Sequence, residues 1–152
     1  MMLMNILWQK FFWLRVSVLV AVLLMVVTPV YSEPSILTGY VTKVRDGDTI
    51  EVGKVPIRLN GVSAPEMNEP LGPKSKAFMI KLILNKHVRC ELNGERTHDR
   101  FVGICYLGGQ DIGEAVIEAG LALDCPRYSG GRYKSTNAAG AIKTITLPKY
   151  CQ

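Results

Sequence analysis

Asp48, Arg58, Glu66 and Arg100 carry the side chains needed to hold an oxyanion and to activate a water beside it. An arginine presents a planar fork of N–H donors that fits two oxygens of one anion at once. An aspartate is a hard oxygen ligand for a divalent cation. A glutamate within reach of a bound water takes its proton as a general base. Each residue also has an ordinary reading. Asp48 closes an Asp46-Gly47-Asp48 turn, Arg58 and Arg100 are solvated strand edges, and Glu66 is a loop charge. Singly the ordinary reading prevails; together, in this order, the four make a candidate site.

The segments that would position them can be read from periodicity. Gly39 to Arg45 and Thr49 to Val52 are rich in β-branched residues and flank the Asp-Gly-Asp turn, which predicts a hairpin. Val55, Ile57 and Leu59 alternate with Pro56, Arg58 and Asn60, predicting a third strand with Arg58 opposite the apolar face. Asn60 to Gly72 reads as loop, and Pro73 suits the first turn of a helix running from Lys74 to Leu84. Val88 to Leu92 and Phe101 to Leu107 read as strands joined by a polar loop. Asp111 is a candidate N-cap for a helix that Gly120 ends. Pro126 to Gln152 shows weak periodicity and predicts no long helix. This order of elements predicts an α+β, mainly β fold: a five-stranded OB-type Greek-key barrel with two or three packed helices.

Val44-Arg45-Asp46-Gly47-Asp48-Thr49-Ile50, followed by Ile57-Arg58-Leu59-Asn60-Gly61-Val62-Ser63-Ala64-Pro65-Glu66, resembles the first half of the thermonuclease (staphylococcal-nuclease-like) pattern. Gly72 with its helix, Val102-Gly103-Ile104-Cys105-Tyr106, and Asp111 to Ala122 resemble the second half in the same order. An Asp-Gly-Asp turn alone marks many hairpins. Joined to Arg-Leu and Ala-Pro-Glu at the family spacing, it is specific. The resemblance implies a nuclease that hydrolyses phosphodiester bonds of DNA or RNA with calcium. In that reading Glu66 is the general base, Arg58 and Arg100 stabilise phosphoryl charge, and Asp48 and the Ala64 backbone carbonyl bind the metal.

Two departures from the family pattern stand out. Ser63 occupies the position where the family has a second metal-binding aspartate, and a neutral hydroxyl is the poorer ligand, so weak calcium binding is expected. The family's Asp-x-Tyr-Gly-Arg is replaced by Arg96-Thr97-His98-Asp99-Arg100. One register would put Gly103 in the arginine slot. The other puts Arg100 there and continues without a gap through Ala122, and it is preferred; His98 is then a spectator.

Lys10 and Arg15 are the only charges before Glu33, and Val16 to Val27 is apolar apart from Ser17. Thr28-Pro29 and the small Ser32 follow, the order of a signal peptide spanning residues 1–32. Twelve helical residues rise only about 18 Å against a bilayer core of about 30 Å, so cleavage is favoured over an uncleaved anchor. The expected product is one periplasmic or secreted domain, residues 33–152, with no stable protein partner and no membrane contact once cleaved. Without Lys10 and Arg15 its net charge is +3, which permits a phosphate-bearing partner without requiring one. Cys90, Cys105, Cys125 and Cys151 lack metal-site spacing and suit an oxidising compartment. The pairs expected are Cys90–Cys105, across neighbouring strands, and Cys125–Cys151, tying down an irregular tail at 125–152. The rival reading is a non-catalytic OB-type module that binds nucleic acid or another polyanion.

Overall fold

Alternating apolar residues close into a barrel in the computed structural model, which describes residues 34–136 and 141–152. The expected signal peptide lies outside the described residues. Strand β1 (Ser35–Val44) pairs antiparallel with β2 (Thr49–Val52), and β2 pairs antiparallel with β3 (Val55–Leu59). A bulge between Val41 and Lys43 changes the side-chain alternation, so Val41 and Val44 both face inward although three residues apart. Strand β5 (His87–Thr97) pairs antiparallel with β1 and with β6 (Arg100–Leu107). A parallel seam between β3 and β6 completes the ring, with Ile57 beside Phe101, Arg58 beside Val102 and Leu59 beside Gly103. This is a closed five-stranded OB-type barrel, as the sequence implied.

Helix α1 (Gly72–Ile83) starts with a proline in its first turn and buries Gly72, Ser75, Met79 and Ile83, one helical stripe. A short strand β7 (Gln110–Asp111) leads into helix α2 (Ile112–Glu118). Asp111 caps α2, accepting from the amides of Gly113 at 2.8 Å and Glu114 at 3.2 Å, and its carboxylate also receives the hydroxyl of buried Tyr133. Ile50, Ile57, Leu59, Val88, Ile112 and Val116 belong to the shared core.

Three segments differ from the sequence expectation. The polar stretch 93–97 continues β5 instead of forming a loop, and His98-Asp99 makes a two-residue turn into β6. Its exposed residues project beyond the core, so no buried face imposes the alternation that marks a strand. Within the 60–72 loop, β4 (Val62–Ser63) pairs with β8 (Leu123–Asp124), a contact too short and too distant in sequence to show a period. The tail forms short pieces: α3 (Pro126–Ser129), α4 (Ala141–Thr144) and a 3-10 turn (Lys149–Cys151).

Cys90 and Cys105 are directly opposite on β5 and β6 and are disulfide-bonded; Cys125 is bonded to Cys151. Both pairings are the expected ones. Non-reducing peptide mapping should recover these two pairs and no other. Replacing Cys90 and Cys105 together by alanine removes a 15-residue cross-link and should lower stability by about 3 kcal/mol in urea unfolding. An unchanged midpoint would show that the strand pairing alone holds this edge.

Candidate active site

On β3, Ile57 and Leu59 point into the core, so Arg58 between them must point outward. Thr49 is its cross-strand neighbour on β2, and Val102 faces it across the parallel seam. Arg100, two residues before Val102, shares that outer face. The two arginines are therefore brought together by barrel closure, although 42 residues separate them in sequence.

Between them lies Asp48, only 5% exposed. Its carboxylate is ion-paired with the Arg58 guanidinium, accepts the Thr49 hydroxyl at 3.1 Å and accepts the Ala64 amide at 3.0 Å. Arg58 also donates to the Val62 carbonyl at 3.1 Å. Arg100 donates to Thr49 Oγ1 at 3.0 Å, so Thr49 links Asp48 to the second arginine. Burial pushes the Arg58 guanidinium below its ordinary range, and the like charge of Arg100 acts in the same direction. Arginine nevertheless stays protonated at any working pH. The β5–β6 turn is latched by Arg45, which donates to Asp99 and to Glu51, both at 2.8 Å. Those hydrogen bonds hold both carboxyls below their usual values.

Asp48, Arg58, Glu66 and Arg100 all line one cleft of about 550 Å³. Glu66 is exposed on the loop before α1, with no hydrogen bond to its carboxylate among the described residues. Ser63 and Ala64 do not line the cleft. Ser63 is buried on β4, and Ala64 meets Asp48 through its amide. His98 lines the rim. The sequence reading missed Asp46, whose Oδ1 accepts the Asp48 amide at 3.0 Å and which faces the same cleft. The Asp-Gly-Asp turn was its signal. It also missed Thr49, and Tyr128 and Tyr150 on the cleft wall, for which neither spacing nor periodicity gives a sign.

The carboxylates on the wall, Asp46, Asp48 and Glu66, are oxygen donors of the kind that suit a hard cation. Among the described residues no three His, Cys, Asp or Glu side chains are grouped as a metal cluster. The donors fit calcium in kind and fall short in number.

The family described as staphylococcal nuclease homologue matches residues 56–141, more than half of the chain. The chain belongs to this family. It is 30% identical over 97 residues to an uncharacterized endonuclease of Haemophilus influenzae, covering 60% of this chain and 54% of that protein. It is 34% identical over 102 residues to a succinoglycan biosynthesis protein of Rhizobium meliloti, covering 59% and 53%. Against a probable staphylococcal-like nuclease of Oryza sativa subsp. japonica it is 30% identical over 82 residues, covering 54% and 25%. The chain thus spans about half, or less, of these relatives.

In this staphylococcal nuclease homologue two glycines let the loops reach the cleft. A Cβ at Gly47 would fall within 2.6 Å of the Ala64 Cβ and closer still to the Ser75 hydroxyl. At Gly72 it would overlap the backbone of Glu66. Helix α1 can therefore press against the Asp48 turn and the Glu66 loop only where no side chain intervenes. Gly103 has no room for an arginine, since its Cβ would lie 2.7 Å from the Glu91 carbonyl and 2.8 Å from Leu92. Gly47→Ala should destabilise the protein by about 1–3 kcal/mol, the usual cost of overpacking, read as a lower urea midpoint. A midpoint unchanged within error would show that α1 does not press on this turn.

Proposed function

We propose that the protein hydrolyses phosphodiester bonds of nucleic acid in this cleft. The observation that carries the reading is the convergence of Arg58, Arg100, Asp48 and Glu66 on one wall of a staphylococcal nuclease homologue. Two guanidiniums on one face can share the oxygens of a phosphodiester. They stabilise it most when negative charge builds during attack, because they are already held in place. Binding requires Arg58 to exchange part of its contact with Asp48 for the incoming anion. Arg100, held by Thr49 and by the Thr97 carbonyl at 3.4 Å, keeps its direction meanwhile. Glu66 is the general base, taking the proton from the attacking water as its oxygen bonds to phosphorus; the ester P–O bond breaks and the departing oxygen takes a proton from solvent.

Asp48 and Asp46 are the carboxylates that would hold a calcium ion, and alone they fall short of a full ligand set. When bound, that ion would add positive charge beside the phosphoryl oxygens. With Ser63 where the family has its second metal-binding aspartate, the affinity is expected to be low. The disulfides favour an oxidising compartment, consistent with export by a segment at residues 1–32.

The test is release of acid-soluble nucleotides from DNA and from RNA by the purified protein, with calcium and with EDTA. Activity should appear with calcium and vanish in EDTA. Glu66→Gln should lower turnover by roughly 10²- to 10⁴-fold, and Arg100→Ala should lower kcat more than it raises KM. Nucleic acid bound without cleavage under every condition would instead support a non-catalytic binding module.

A further inference from the structure

The cleft is not built from the family segment alone. The family match ends at residue 141, yet Tyr150 lines the same wall as Arg58 and Asp48. It arrives there because Cys151, wholly buried, is bonded to Cys125, another cleft-lining residue. Cys125 is itself fixed, its amide donating to the Gly61 carbonyl at 2.8 Å in the turn after β3. The 3-10 turn thus places one residue inward as the anchor and turns its neighbour outward into the cleft.

Tyr150 is 51% exposed, and Tyr128, on α3, is 46% exposed on the same wall. Neither ring packs on another ring or donates a side-chain hydrogen bond among the described residues. Two aromatic faces left open in the same cleft as two arginines suit a flat ligand joined to a phosphate. Tyr150 and Arg58 line the same cleft. A ring at that position would meet the base of a nucleotide whose phosphate Arg58 holds.

We propose that Tyr150, fixed in the cleft by the Cys125–Cys151 disulfide, is a nucleobase-binding residue that the C-terminal tail adds to the family's cleft. The proposal rests on the cleft being a phosphodiester site. Every base has a flat π-face, so a ring at this position can stack on an exposed base without reading its sequence. The disulfide matters because Cys151 is the residue next to Tyr150, whereas Ile145 and Leu147, packed with Leu123 and Leu71, hold the segment further back; losing the tether would release the ring from the cleft.

The experiment uses the full chain carrying Glu66→Gln, so that strands are not consumed, and measures anisotropy of a short labelled oligodeoxythymidylate and of an abasic strand of equal length. The base-bearing strand should bind more tightly. Adding Tyr150→Ala should reduce that preference by roughly 5- to 150-fold, the range of one base–aromatic stack, while Tyr150→Phe keeps it. Cys151→Ser should resemble Tyr150→Ala. If that variant fails to fold in thermal melting, the alanine and phenylalanine variants decide alone. A preference unchanged in Tyr150→Ala, or absent from the starting protein, overturns the proposal. Cleavage assays on the chain with Glu66 intact separate the two readings. Base preference without cleavage would leave this inference standing and remove the hydrolytic one; cleavage without base preference would do the reverse.

Discussion

A carboxylate withdrawn from water has to be met by donors, and at Asp48 these come from three segments. Arg58 reaches it from β3, Thr49 from β2 and the Ala64 amide from the loop after β4. Leaving such a charge without its partner costs about 3–5 kcal/mol, a large part of the stability of a domain this size. The buried ion pair therefore joins the fold to the site. Strands β2 and β3 of the barrel satisfy Asp48, and satisfying Asp48 aims Arg58 into the cleft. Thr49 extends the network to Arg100, so one buried anion orients both guanidiniums.

The same pairing explains how Arg58 stays aimed into the cleft without a ligand. An arginine held by an internal carboxylate has already lost its rotamer freedom, so an incoming anion meets a prepared donor and exchanges one charged partner for another. The loops that bring the remaining groups are held by absence of bulk. Gly47 and Gly72 admit helix α1 against the Asp48 turn and the Glu66 backbone. Ser75, wholly buried at that contact with no hydrogen-bond partner for its hydroxyl among the described residues, shows how closely the helix is packed there.

Much of this was legible in the sequence. The hairpin around Asp46-Gly47-Asp48 and the third strand follow from period-two alternation, because one face of each is buried. The Asp111 cap and the ends of α1 and α2 follow from proline and polar-cap chemistry that acts within one turn. The extension of β5 through residues 93–97 was not legible, since a hairpin projecting from the core has no buried face to impose a pattern. The Val62–Ser63 pairing with Leu123–Asp124 joins strands too short to show any period. Among the residues lining the cleft, Asp48, Arg58, Glu66 and Arg100 were singled out by their types and by the resemblance to the family pattern. Tyr128 and Tyr150 were not, because the first depends on a four-residue helix and the second on a disulfide formed across 26 residues.

The central claim is that the Asp48-held pair Arg58 and Arg100 receives the phosphodiester. Side-chain NMR of the arginines reads this directly, in protein carrying Glu66→Gln and titrated with a dinucleoside monophosphate. The signals of Arg58 and Arg100 should shift together and saturate at one ligand per chain, with those of Arg127 and Arg132 little changed. Shifts confined to arginines outside the cleft, with Arg58 and Arg100 unmoved at saturation, would contradict the account.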